Sequence, residues 1–321
     1  MAMNLLLEYL NKHERVTGKE LSDAFDITDR AVRKQLSTLL KRGIISKIGT
    51  PPKVYYYLSE EKHIQNYNLE KSLSDFINEN YLYISPDGEK VDGVSGFVAW
   101  CNKTKQPIEK TALEYIKTFN IYKKYKKNDF IDGTLKLVNT FSTIGLDSVY
   151  YLDFYSIERF GKTKLGQLLL YAKQSQNKKL MKEISLQIKS KIIKLIKKNK
   201  ITSVGFIPPT VKREFQLMKV IQKHLNLDSK LISITKAKTD VAVPQKTLTK
   251  IEDRIQNARN TIIVDDNNKH KNILLIDDAV GSGSTLNETA LQIKRRGICT
   301  GKIYGLAIVG SFKGFDVISE V

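Results

Sequence analysis

Cysteine is scarce in this chain of 321 residues, with only Cys101 and Cys299, far apart in sequence. No Cys-x-x-Cys spacing exists, so a cysteine zinc site is excluded and a disulfide framework is not expected. Histidine is also sparse, and His13, His63, His224 and His270 have no ligand spacing. No zinc is expected. There is no Gly-x-Ser-x-Gly elbow and no His-Glu-x-x-His motif, which removes two common hydrolase chemistries. Glycine (18) and proline (7) are too few for a low-complexity chain. No apolar run reaches the ~18 residues of a membrane span. The first ten residues hold Glu8 and no basic segment, so a signal peptide is not expected. These absences predict a soluble, cytoplasmic protein.

Acid is in short supply as well. Lys and Arg number 53 against 34 Asp and Glu, a net charge of +19. Such a field attracts polyanions: nucleic acid, phosphorylated small molecules or an anionic membrane surface. A lysine-, asparagine- and isoleucine-rich composition, common in proteins of AT-rich genomes, accounts for part of it. The excess is concentrated in residues 141–321, which hold 31 basic and 16 acidic residues. What is plentiful is core: 41% of residues are hydrophobic, enough for about two domains at this length.

Three parts are expected, 1–60, 61–140 and 141–321. In the first, Leu5, Leu6, Tyr9 and Leu10 form a short helical stripe. Thr17 and Glu20 make a capping box for a second helix, with Leu21, Ala24 and Phe25 on its buried side. Thr28 caps a third helix that Gly43 ends. Val32, Leu36, Leu39 and Leu40 face inward there, and Arg30, Arg33, Lys34, Ser37 and Lys41 fall on the opposite side. Residues 44–48 and 54–58 read as a two-stranded ribbon turning at Gly49 to Lys53. This order resembles a winged helix-turn-helix domain. The resemblance implies duplex DNA as partner, with the third helix in the major groove and Lys53 at the wing tip on phosphates. A winged helix used for protein contacts, its basic face merely solvated, is the other reading.

Residues 61–140 read as a connecting module of unknown role, with helices over 69–81 and 111–125. Pro86-Asp87-Gly88 and Ile131-Asp132-Gly133 are turn signals. From 141 onward short apolar strands alternate with helices. That pattern predicts an α/β fold, a mostly parallel sheet with helices on both faces. Strands are expected over 148–154, 203–207, 231–234, 273–276 and 305–309, and helices over 165–173, 181–198, 211–225, 251–259 and 286–296.

Ligands of such sheets bind beyond the carboxyl ends of the strands. There, after an apolar strand, stand Asp277 and Asp278, then Ala279, Val280, Gly281, Ser282, Gly283, Ser284 and Thr285 running into a helix. Small residues at a helix start form a nest for a phosphate. The carboxylates suit vicinal sugar hydroxyls, or a magnesium ion through them. A P-loop lysine is missing, and residue 286 is Leu where a dinucleotide loop needs its third Gly.

This stretch resembles the signature of type I phosphoribosyltransferases. The resemblance implies that Asp277 and Asp278 are the catalytic pair, holding the ribose hydroxyls of phosphoribosyl pyrophosphate (PRPP) and, indirectly, magnesium. Residues Ala279 to Thr285 would hold its 5′-phosphate. Pro208, Pro209 and Thr210, with Lys212 and Arg213 after them, match the place of a pyrophosphate loop. Gln245, Lys246, Leu248, Arg254 and Asn257 resemble the flexible loop of ComF-like phosphoribosyltransferases. The cysteine module that usually precedes that domain is replaced by the winged helix, and the family's glycine near Arg213 is missing.

Two functions follow. The one that Gln245, Lys246 and Arg254 favour is an enzyme transferring phosphoribose from PRPP with release of pyrophosphate, with magnesium, Lys212, Arg213 and Lys246 stabilising the leaving group. The other is a transcriptional regulator whose phosphoribosyltransferase domain only senses PRPP or a nucleotide. A nucleotide-attacking toxin or defence effector is a third idea, resting on the unusual fusion alone. A homodimer is compatible with each. The lysine-rich run Lys173 to Lys200 reads either as a second nucleic-acid surface or as a solvated helix face.

Overall fold

The structure is a computed structural model, and it describes residues 2–59, 67, 69–211, 213–241 and 243–311; the side chains of residues 2–4 and of Lys246 are not described. It divides into two compact units, Met1–Asn68 and Leu69–Val321. The division is thus twofold where the sequence predicted three parts.

The smaller unit runs α1 (Ala2–His13), β1 (Val16–Thr17), α2 (Gly18–Phe25), α3 (Asp29–Lys41), β2 (Ile45–Thr50) and β3 (Lys53–Leu58). Capping sets the helix starts. Thr17 Oγ1 accepts from Glu20 N at 3.1 Å, and the Glu20 carboxylate accepts from Thr17 N at 2.6 Å. Thr28 caps α3. Asp26, left-handed at φ +47°, turns the chain between the two helices. Leu6, Leu10, Leu21, Val32, Leu36, Leu39 and Ile45 form the core. Two expectations change. The ribbon is a three-stranded sheet, because β1 pairs antiparallel with β3. Ala24 is exposed: α2 has only two turns, and Leu21 and Phe25, one turn apart, suffice to fill its inner side.

The larger unit opens with α4 (Lys71–Asn80), β4 (Leu82–Ile84), β5 (Lys90–Asp92), α5 (Gly93–Thr104), α6 (Ile108–Lys123), β6 (Lys126–Lys127), β7 (Phe130–Asp132) and α7 (Thr134–Thr140). It continues with β8 (Ser148–Phe154), β9 (Ser156–Ile157), β10 (Gly161–Lys162), α8 (Lys164–Gln174), α9 (Lys178–Lys198), β11 (Ser203–Phe206), α10 (Leu217–Leu225), β12 (Lys230–Ile232) and β13 (Ile234–Lys236). It closes with α11 (Ile251–Thr261), β14 (Ile262–Val264), β15 (Ile273–Val280), α12 (Ser284–Arg295) and β16 (Ile303–Gly310).

Seven strands make the main sheet in the order β12-β11-β15-β16-β8-β7-β6. The first five are parallel, and β7 is antiparallel to β8. Residues 273–276 of β15 and all of β16 are buried, as strands covered on both faces must be. On one face α8, α9 and α10 bring Leu168, Met181, Ile184, Ile188 and Ile221 onto Leu274, Ile276 and Leu306.

The stretch 69–140 belongs to this unit. Its hairpin β6–β7 extends the sheet, and its rings reach the later chain: Trp100 and Tyr115 lie 5.9 and 5.2 Å from Phe160. Ile131-Asp132-Gly133 is therefore a strand end followed by a helix start, not a turn; the Tyr151 hydroxyl fills the space a Cβ on Gly133 would need. The helix expected from 211 starts at Leu217, because the Phe215 amide donates to the Gln176 side chain (3.0 Å) instead of to a helical carbonyl. The strand expected over 231–234 is split. β12 stays in the main sheet, and β13 leaves it to pair with β14.

Candidate functional site

The chain leaves β11 for β12 on one side and passes from β15 to β16 on the other. The carboxyl ends of β11 and β15 are thus neighbours whose following loops diverge, the switch point where α/β sheets bind ligands. A cleft of about 200 Å³ opens there. It brings together Pro208, Pro209, Thr210, Arg213, Gln245 and Arg254 with the whole stretch from Asp277 to Thr285. Lys212 lies outside the described residues, and so does the side chain of Lys246.

β15 delivers the acids. Asp277 Oδ1 accepts from the Asp278 amide at 2.8 Å, and Asp278 pairs with Lys173 Nζ at 2.6 Å. Burial, then the neighbouring Asp278 charge, pushes the Asp277 carboxyl up to about 8, against the opposing pull of the Asp278 amide, Lys173 and Lys236.

Gly283 starts α12 in the left-handed conformation, φ +82°, and a Cβ there would lie 3.3 Å from Leu137. Gly283 gives the helix no side-chain cap, and Ser284 N donates to Ser282 Oγ at 3.3 Å; the N–H groups that follow, of Thr285 and Leu286, are the ones an anion can take up. Ser282 and Ser284 are buried and hydrogen-bonded to each other at 2.9 Å; Thr285 is the half-exposed hydroxyl of the loop. Asn287, one turn along, fixes the loop before β8 by accepting from Gly145 N and donating to Thr143 O.

Across the cleft Lys236 Nζ donates to Thr210 Oγ1 at 2.8 Å. Burial lowers its pKa, and the Asp277 charge opposes that. Arg213 Nη1 donates to the Lys173 carbonyl. Gln245 Nε2 donates to the Arg254 carbonyl (3.0 Å), and Arg254 Nε to the Leu248 carbonyl (2.7 Å). Arg254 is only 5% exposed. Its Nη2 and the Gln245 Oε1 have no hydrogen-bond partner among the described residues. A buried guanidinium with a free N–H, facing a cleft, is suited to an anion.

Sequence reasoning missed Lys173 and Lys236. Both act across long sequence separations, Lys173 from the end of α8 and Lys236 from the hairpin strand that the sequence merged with β12.

In the smaller unit Arg30, Arg33, Lys34, Ser37 and Lys41 are all exposed on α3. Lys53 is exposed beside the wing turn. At Gly49, φ +95°, a Cβ would collide with the Lys53 carbonyl, so the ribbon turns there only with glycine.

Residues 3–56 match a protein-family model described as an HTH domain. The chain thus begins with a helix-turn-helix domain of winged type. No curated protein matches the chain. Among the described residues no helix is long and apolar enough to cross a membrane.

Proposed function

We propose that this protein is a DNA-binding regulator whose larger unit takes up PRPP. The observation that carries the reading is the meeting, at one switch point, of an acidic pair, a small-residue helix start and four cationic side chains. PRPP has the complementary parts. Its 5′-phosphate suits the open N–H groups and positive end of α12 at Gly281 to Thr285. Its ribose hydroxyls suit Asp277 and Asp278, and its pyrophosphate suits Lys173, Arg213, Lys236 and Arg254. The helix-turn-helix domain supplies the output, with α3 reading a duplex and Lys53 on its backbone.

Among the described residues no three His, Cys, Asp or Glu side chains cluster as a metal site. The two carboxylates fit magnesium only as an ion carried in by the pyrophosphate. When bound, it supplies charge neutralisation to that group.

A second reading, phosphoribosyl transfer, is favoured by Arg254 and Gln245, which line the cleft and each carry a buried polar atom without a hydrogen-bond partner among the described residues. In it the bond from the ribose C1 to pyrophosphate breaks, an acceptor lone pair forms the new bond to C1, and the acceptor gives up a proton. A cation paired only as the leaving group gains charge lowers that barrier.

One experiment separates the two. Binding of a random-sequence duplex is followed by fluorescence anisotropy with and without PRPP and magnesium, and pyrophosphate release is measured across a nucleobase panel. The regulator shifts DNA affinity by about 5- to 150-fold without releasing pyrophosphate. The enzyme releases it. If neither responds, both readings fail.

A further inference from the structure

The lysine-rich helix α9 has no part in the cleft chemistry above. Over Lys173 to Lys200 the chain holds ten lysines and one acid, Glu183, and Glu183 is already held by Lys90 at 2.7 Å. We propose that the outer face of α9 is a second surface for the phosphate backbone of duplex DNA. The inference rests on the reading of this chain as a DNA-binding protein, but not on α3.

The inner face of α9 is fully used by the core: Met181, Ile184, Ile188, Ile192 and Leu195 are buried. The outer face is therefore free to be set by something other than packing. Its charge runs against the helix's own field. Acids belong at a helix N-terminus, and a cation there is disfavoured by the helix dipole. α9 has no acid in its first turn, and begins instead with Lys178, Lys179 and, one turn on, Lys182. Lys178 is accounted for, since its Nζ sits 3.6 Å from the centre of the Phe215 ring. Lys179 and Lys182 are exposed and make no ion pair among the described residues.

From Lys182 a stripe runs through Leu186, Lys189 and Lys197 at helical spacing, with Leu186 64% exposed. The flank is crowded with like charge. Lys191 is half-buried, and its pKa is lowered by burial and then by Lys126 beside it; Asp129 and Asp153, its acidic neighbours, are engaged by Lys194 (2.7 Å) and Lys126 (3.5 Å). A composition bias alone would treat other helices alike. In α6, which is also solvent-facing, Glu109 and Glu114 are interleaved with Lys110 and Lys117. A helix of 21 residues is about 31 Å long, and a duplex presents one phosphate charge per ~1.7 Å of its axis. A linear, acid-poor face of that length matches a phosphate backbone.

The test uses the full chain and the triple variant Lys179→Glu, Lys182→Glu, Lys189→Glu. Anisotropy with a random-sequence duplex is read from about 50 to 200 mM salt. The slope of log affinity against log salt becomes shallower by about 2–3, and affinity falls at least about tenfold, since each phosphate contact contributes about 0.9 to the slope. A cooperative thermal melt shows that the variant is folded. The matching Gln triple variant shows a smaller loss in the same direction and serves if the Glu variant does not fold. Combined with Arg33→Ala, the triple variant still weakens the remaining binding, so failure of α3 as the reading helix is told apart from failure of α9. Unchanged slope and affinity in a folded variant overturn the proposal. So does lysine-dependent binding of anionic vesicles by a protein whose duplex binding is unaffected.

Discussion

On α3 the basic groups stand in water, and in the cleft they are interlocked. Among the described residues Arg33 has one ion pair on α3, with Asp29 at 3.8 Å, and both side chains are largely exposed. Such a pair contributes at most about 1 kcal/mol. Lys173, Lys236 and Arg213 are instead each engaged by another part of the cleft, and Arg254 is buried. An exposed face adapts to a polymer whose charge repeats and is weakened one contact at a time. A cleft whose cations are already held by its own carboxylate, hydroxyl and carbonyl groups suits a single small ligand, and its losses are cooperative.

That contrast can be broken most easily at the acids. Replacing both Asp277 and Asp278 by Asn keeps size and removes both carboxyl groups. PRPP binding with magnesium falls beyond detection by calorimetry, while duplex affinity is unchanged. Next comes α3. Arg33→Ala costs about 1–3 kcal/mol of DNA affinity if it reads a base edge, measured by anisotropy, and leaves PRPP affinity untouched. Lys173→Met removes the partner of Asp278 and should weaken PRPP about tenfold, or ~1.4 kcal/mol, by calorimetry. Thr285→Val should cost about 0.5–1.5 kcal/mol, since the backbone nest survives the loss of one hydroxyl.

A separate readout of the same acid is stability. The folded protein holds the Asp277 proton above the ordinary carboxylate range, up to about 8. Ionisation of Asp277 therefore subtracts stability as pH rises from about 4 to about 8. Asp277→Asn removes that loss, so thermal melts show a gain at pH 8 that vanishes near pH 4.

Much of this organisation was legible in the sequence. Thr17, Glu20 and Thr28 announce helix starts through local hydrogen bonds, and the apolar run before Asp277 can only be a covered strand. Leu21 was legible as core, but Ala24 was misread because a two-turn helix has room for fewer inward residues than its periodicity offers. α5 escaped notice because Gly93 and Gly96 interrupt its pattern; Gly96 packs against the Val91 carbonyl. Lys173 and Lys236 carry no local signal. Their partners, Asp278 and Thr210, lie far along the chain, and only the folded sheet brings them together.

The proposed phosphoribosyl site is the cleft at the ends of β11 and β15. Calorimetric titration of PRPP with magnesium into the wild-type chain and into the variant with Asn at both 277 and 278 tests it most directly. Saturable binding to the wild type and none to the variant is the expected result. Equal affinity for the two, or no binding to the wild type, would contradict the claim.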